Sequence, residues 1–370
     1  WRGPQDAKFF DGHDIVTVSE DWYSTRDYTR KMIGYIEQDR AEGKPFFAYM
    51  AYTAPHWPLQ APKESIAKFK GRYDAGYEAL YAERFARQRE LGLVPQDARP
   101  IPDDRFSPRW ADLPEEEKRL AARRMEIYAA MVSDLDQYVG ELIAYLERIG
   151  ELDNTFILFS SDNGAEPDRR DLQPNIAQHV GKAYDHSLDN LGSPTSYVMY
   201  GANWASASAT PWNRHKFTAF EGGTRVPAFA VQPGRIAAGS RSDAMTTILD
   251  VLPTFLALAG TQHPGDAWQG NPVLPPQGRS MLPLLHGQAS RLHDAGAAFG
   301  WELFGHRGMR LDNWKLVWDQ AAPEAQRRWK LYDLSADPFE QDDLSAANPE
   351  KLQQLLAQWE RYEKDNGVIY

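Results

Sequence analysis

Three short stretches of the chain carry residue types that could do chemistry on an anion. Ser160-Ser161-Asp162-Asn163-Gly164 places a carboxylate beside an amide oxygen. These are hard donors suited to Ca²⁺ or Mg²⁺, although Asp-Asn-Gly is also an ordinary turn that needs no ligand. Lys216 precedes Glu221-Gly222-Gly223-Thr224-Arg225-Val226-Pro227. A lysine holds an anionic group as a point charge, and the paired glycines allow close backbone approach. A solvated surface lysine has the same sequence appearance. His56, one of nine histidines, follows an apolar run. An imidazole there can donate a proton near neutral pH, or simply sit between proline turns. Trp57, Trp204 and Trp212 flank these stretches. They read equally as pocket walls or as the packing of long loops.

The elements expected to position these residues alternate in α/β fashion. Tyr28, Met32 and Ile36 recur every four residues, which predicts a helix from Thr25 to about Gln38. The apolar run from Pro45 to Tyr52 predicts a strand buried on both faces, delivering His56 at its end. Residues 60–115 read as a surface excursion with short helices. The spacing of Tyr128, Val132, Leu135, Val139, Leu142, Leu146 and Ile149 predicts a long helix closed by Gly150. The acidic run Glu115-Glu116-Glu117 suits a helix N-terminus. Asn154 to Ser160 predicts a second buried strand, with Asp162 just beyond its carboxyl end, where α/β sheets bind ligands. Residues 165–215 read as loop, Val226–Val231 as a strand, and Met245–Ala259 as a helix. Beyond a Pro- and Gly-rich connector at 262–280, strands at 298–301, 314–318 and 329–334 precede a helix over 349–363. The tryptophans at 301, 314, 318 and 329 suit the core of that small unit. The expected fold class is α/β, a mixed and mostly parallel sheet flanked by helices, over residues 1–285. A small α+β subdomain with antiparallel strands and a terminal helix follows over 286–370.

Composition narrows the chemistry. The net charge of -11 argues against binding nucleic acid through a general positive field. It leaves an anionic small-molecule substrate open, because one lysine and a metal ion invert the sign locally. The chain has no cysteine, so disulfides, thiolate metal sites and thiol nucleophiles are excluded for it. No apolar run approaches the roughly 18 residues a membrane-spanning helix needs.

Taken in order, the stretches resemble one family. Tyr52-Thr53-Ala54-Pro55-His56-Trp57-Pro58 is similar to the histidine segment of type I sulfatases of the alkaline phosphatase superfamily, in their bacterial arylsulfatase branch. Phe159 to Glu166 resembles their metal-ligand segment. Lys216, with its five-residue step to Glu221, resembles their lysine segment. Asn190 to Pro194, Tyr197 to Trp204, Asp250 to Thr254 and the tail from Trp314 to Pro338 extend the likeness over most of the chain.

The resemblance implies metal-assisted hydrolysis of a small-molecule sulfate ester. It implies Ca²⁺, with Mg²⁺ open, held in part by Asp162 and Asn163. Lys216 would hold the sulfate and the bridging oxygen, and His56 would contact or protonate the leaving oxygen. The family's nucleophile is a formylglycine made from a cysteine or serine ahead of the histidine segment. This chain has no such stretch before His56. The reading therefore expects the nucleophile and further metal-binding aspartates upstream of Trp1. It also expects the 370 residues alone to be inactive, with unpaired apolar strand edges prone to aggregation. A periplasmic or secreted setting fits the resemblance better than a cytoplasmic one. A phosphonate monoester hydrolase or phosphodiesterase of the same superfamily fits the same motifs. So does a non-catalytic binding protein of the same fold.

Overall fold

The 34-residue helix Glu115–Arg148 organises one half of the protein. Its three leading glutamates face the positive end of the helix dipole. Gly150, at φ +74°, breaks the chain away just past its end. This computed structural model describes residues 8–369. Contacts divide them into two units. The first holds the described residues up to Arg148 together with Asn163–Val226 and Ala336–Asp342. The second holds Ile149–Asp162, Pro227–Ser335 and the residues from Asp343 onward.

The first unit is mainly helical. A short antiparallel hairpin, β1 (Phe9–Asp11) and β2 (Asp14–Val16), leads into α1 (Ser24–Ala41). Next come α2 (Lys63–Ala67), α3 (Gly76–Glu90) and the long α4 (Glu115–Arg148). Then follow α5 (Pro174–Ala183), α6 (Ala202–Ser208) and the single turn α7 (Glu221–Thr224). Helix α4 is the spine against which α1 and α2 lie. Met125, Ile127 and Ala130 of α4 are almost fully buried, in one core with Leu59, Ile66, Tyr77 and Trp204. The expected apolar face is only partly the core face. Val132 is 41% exposed, and Leu135, Val139 and Leu142 are half-buried. Periodicity identifies the apolar stripe of a helix but not how much of it a neighbour covers.

Trp204 anchors this core. Its ring meets Tyr73, Tyr77 and Trp110 edge-on, at centroid separations of 5.9, 5.5 and 5.8 Å. Its indole N–H donates to the Ala121 carbonyl at 3.0 Å, so the buried polar atom is satisfied. Trp204 is therefore a packing residue, one of the two readings the sequence allowed. The region 60–115 holds a 15-residue helix, longer than the short helices expected there.

One expected strand is corrected. Residues 45–52 form no regular element and pair with no strand among the described residues. Exposure alternates along them, with Phe47 at 74% and Tyr49 at 79%. An apolar run encodes the capacity for a ladder, but a strand exists only where a neighbour supplies the hydrogen bonds.

In the second unit β3 (Ile157–Ser160) pairs antiparallel with β4 (Ala228–Val231). Phe159 lies opposite Phe229, and their rings stack at 4.9 Å. Helix α8 (Val251–Leu258) follows, then the two-residue strands β5 (Ala267–Trp268) and β6 (Asn271–Pro272), then α9 (Leu282–Leu285). Asp250, ahead of α8, is fully buried. It accepts from the backbone N–H groups of Thr247 and Arg279 and faces His293 at 3.1 Å.

The C-terminal part is a four-stranded antiparallel meander. It comprises β7 (Ala298–Leu303), β8 (His306–Leu311), β9 (Trp314–Trp318) and β10 (Trp329–Asp333). Strand β8 was not singled out in the sequence. Helix α10 (Pro349–Asn366) places Leu355 and Trp359 on the sheet against Met309, Leu316 and Leu331. Gly300 is required under this helix, since a Cβ there would lie 2.4 Å from the Tyr362 ring. Every ladder among the described residues is antiparallel, so the parallel pairing expected for the main sheet rests on no strand pair in them. No described helix is long and apolar enough to cross a membrane.

Candidate active site

Three loops of the first unit are stitched together through their backbones. The Gly164 N–H donates to the Gly223 carbonyl at 3.1 Å. The Lys216 N–H donates to the Ala165 carbonyl at 3.0 Å, and that of Gly222 to the Asn213 carbonyl at 2.8 Å. This stacking needs residues without side chains. A Cβ on Gly164 would lie 1.9 Å from the Gly222 carbonyl oxygen, and one on Gly222 2.3 Å from that of Arg214. The glycines of both sequence stretches thus serve close backbone approach. Arg214 and Phe217 flank the lysine in the left-handed region, at φ 63° and 69°. Such backbone persists where its surroundings over-determine it, as these bonds do.

The result is a cluster of three charged side chains. Lys216 Nζ lies 2.7 Å from Glu166 Oε2 and 3.3 Å from His56 Nε2. His56 Nε2 lies 3.5 Å from the same carboxylate oxygen. Residues 56 and 216, read separately in the sequence, therefore share one place. His56 Nδ1 faces the Trp57 carbonyl at 2.8 Å, so Nε2 is the nitrogen turned toward the cluster. Trp57 packs beside the imidazole at 4.9 Å and meets Tyr197 at 5.9 Å. The Arg170 guanidinium lies over its indole at 5.4 Å. Trp212 lies elsewhere, against Phe339 and under Arg225.

In the sequence Glu166 is only the last residue of the Phe159–Glu166 stretch, and no role attaches to it there. The available signal was its position, three residues beyond Asn163 on the loop that also carries the metal-donor candidates. Its Oε1 accepts from the Asp168 N–H at 3.1 Å. Burial alone would push its carboxyl up, but hydrogen bonds from His56 and Lys216 outweigh that and bring it to about 2. The same carboxylate holds the His56 imidazole above its ordinary value of 6.5, against the opposing effects of burial and the Lys216 charge. The carboxylate's contribution is fully present above 4.5 and is lost as pH falls toward 2. The imidazole's is fully present below 6.5 and is lost as pH rises through its raised value. Between 4.5 and 6.5 both contributions are present.

Asp162 is exposed and Asn163 half-buried, on the loop that follows β3. They are consecutive, and the division between the two units falls between them. Their oxygens suit a hard cation in kind, but two donors are fewer than the six to eight a Ca²⁺ takes. No group of three or more His, Asp or Glu that could hold a metal occurs among the described residues.

Residues 4–261 match the model of the sulfatase family. The chain belongs to the sulfatase family. Residues 212–364 of this sulfatase chain also match the family model described as N-sulphoglucosamine sulphohydrolase, C-terminal. An uncharacterised sulfatase of Schizosaccharomyces pombe is 41% identical over 364 residues, covering 96% of the chain and 65% of the relative. The arylsulfatase of Klebsiella aerogenes is 36% identical over 267 residues, covering 72% of the chain and 57% of the relative. The chain thus spans less than two thirds of either relative's length. The solved structure of Ps i-CgsB in complex with k-i-k-neocarrahexaose superposes with a TM-score of 0.62 at 23% identity, over 97% of this chain and 58% of that one. At that identity the likeness speaks for the fold, the alkaline-phosphatase-like α/β fold expected from the sequence. Sulfatases are in general metal-dependent.

Proposed function

We propose that the protein carrying this chain hydrolyses sulfate monoesters, and that the chain supplies the leaving-group side of the reaction. The observation that carries this reading is the meeting of His56 Nε2 and Lys216 Nζ at 3.3 Å, from positions 160 residues apart, in a sulfatase-family chain. Breaking the S–O bond puts negative charge on the leaving oxygen. A fixed ammonium lowers the cost of that charge, and an imidazolium N–H removes it by proton transfer. Lys216 holds the sulfate and the bridging oxygen, and His56 delivers its Nε2 proton to the departing alcohol. Trp57 walls the same side with an apolar face.

Asp162 and Asn163 are the residues that would hold part of a Ca²⁺ or Mg²⁺ ion. When bound, the metal supplies positive charge to the sulfate oxygens. The nucleophile, a formylglycine by family resemblance, is assigned to no residue of this chain. The division into a catalytic part over 1–285 and a small subdomain over 286–370 belongs to this proposal too.

The test is turnover by the intact protein on a matched aryl sulfate and aryl phosphodiester. Preferred hydrolysis of the sulfate is the expected result, and preferred hydrolysis of the phosphodiester would overturn it. Metal content after dialysis tests the donors separately. Asp162→Ala is expected to lose bound metal that the unsubstituted protein keeps. Equal retention by both would remove Asp162 from the proposed set.

A further inference from the structure

His56 and Lys216 present a problem that their proposed roles do not solve. Both act as cations, yet their nitrogens lie 3.3 Å apart. Two like charges at that distance favour loss of the weaker base's proton, which is the imidazole's. A histidine meant to donate a proton would then arrive without one.

Glu166 sits where the problem is met. Its Oε2 oxygen faces both nitrogens, at 2.7 Å from the lysine and 3.5 Å from the histidine. Its side chain is only 11% exposed and that of Lys216 16%, so solvent screens their contact weakly, while the His56 side chain, at 45%, is more open. The backbone fixes it from two directions. Oε1 takes the Asp168 N–H at 3.1 Å, and the neighbouring Ala165 carbonyl takes the Lys216 N–H at 3.0 Å. The lysine loop and the carboxylate loop are therefore tied together by a backbone hydrogen bond beside the cluster.

We propose that Glu166 is the positioning residue of this site, its Oε2 holding the His56 imidazolium and the Lys216 ammonium side by side so that both face one leaving oxygen. This rests on the reading of His56 and Lys216 given above. It adds that the carboxylate cancels one of the two cationic charges, so the cluster presents a net single positive charge to the substrate. The carboxylate never bonds to substrate, and it acts only through its two partners.

Other charges face the same carboxylate. Asp168 and Arg170 lie on its own loop, with Arg170 paired to Asp168 at 2.7 Å. His215 and Tyr200 also feel its field. Burial keeps His215 below its ordinary value, so it adds no charge near neutral pH. The Tyr200 phenol is pushed up by burial and stays neutral as well. Among these groups, Glu166 is the carboxylate in direct contact with both cations.

The experiment is an NMR pH titration of the intact protein with ¹³C-labelled histidine rings, the His56 signal being assigned by its loss in His56→Asn. In the unsubstituted chain His56 is expected to titrate above 6.5. In Glu166→Gln it should fall by about one pH unit or more, a tenfold change in its protonation equilibrium. Adding Lys216→Met to Glu166→Gln should raise the midpoint again by removing the repelling charge. A His56 midpoint at or below 6.5 in the unsubstituted chain overturns the proposal, as does one unchanged by Glu166→Gln. Should Glu166→Gln fail to fold, Lys216→Met alone decides. A rise in the His56 midpoint supports the arrangement, and no change or a fall overturns it.

In the intact protein, the limb of the kcat/KM pH profile that reports His56 should shift to lower pH in Glu166→Gln and return toward its original position in Glu166→Asp. The titration needs no turnover, so the two readings fail separately. A titration as expected in a protein without sulfatase activity sinks the proposed function alone. Sulfatase activity with an unmoved His56 titration sinks the positioning role alone.

Discussion

Lys216→Ala and His56→Ala are each expected to lower kcat/KM for an aryl sulfate by about 100-fold or more in the intact protein, the scale of losing one transition-state donor. The two losses should differ in character. Lysine holds its charge whatever the leaving alcohol, so the Lys216→Ala loss should persist across substrates. Proton donation matters most where the leaving oxygen is basic, so the His56→Ala loss should grow with the pKa of the alcohol. Since the two nitrogens lie 3.3 Å apart and serve one oxygen, the double variant should lose less than the product of the single losses. A series of substituted aryl sulfates measures all three. Near-normal rates in both single variants would remove these residues from the site.

Trp204→Ala is expected to destabilise the first unit by about 3–5 kcal/mol, the range for emptying a buried large aromatic site. The ring is 1% exposed, wedged among Tyr73, Tyr77 and Trp110, and its N–H bonds the Ala121 carbonyl. Truncation removes these edge contacts and leaves that carbonyl without its indole donor. Tyr77 comes from α3, Tyr73 from the turn just ahead of it and Trp110 from the segment leading to α4, so they cannot all collapse into the gap. Urea unfolding followed by near-ultraviolet circular dichroism reads the change. A loss below about 1 kcal/mol would mean the core repacks freely around the missing ring, contrary to the usual cost of a large cavity.

The site variants and the core variant probe features of different legibility. Lys216 and His56 were visible because family-like motifs surround them, although each alone was an unremarkable lysine or histidine. Trp204 and Trp57 looked alike as loop tryptophans, and only the fold separates the core residue from the one beside His56. Glu166 was in plain view three residues beyond Asn163, but a carboxylate's partners cannot be read from spacing when they lie 110 and 50 positions away. The segment 45–52 shows the opposite limit. Its composition is that of a buried strand, and the described residues supply no ladder for it.

The sequence by itself determined what is local. It placed the long helix through its glutamate start and glycine end, the strands of the C-terminal meander except β8, and the glycines that let two loops touch. These follow from propensity, capping and steric size within a few residues. Only the tertiary structure decided that loops 160 positions apart bring an imidazole and an ammonium to one carboxylate oxygen, and which tryptophan the core would claim. Long-range contact depends on how whole elements pack. Side-chain charge and shape become chemistry only after that packing has fixed distances to a few tenths of an ångström.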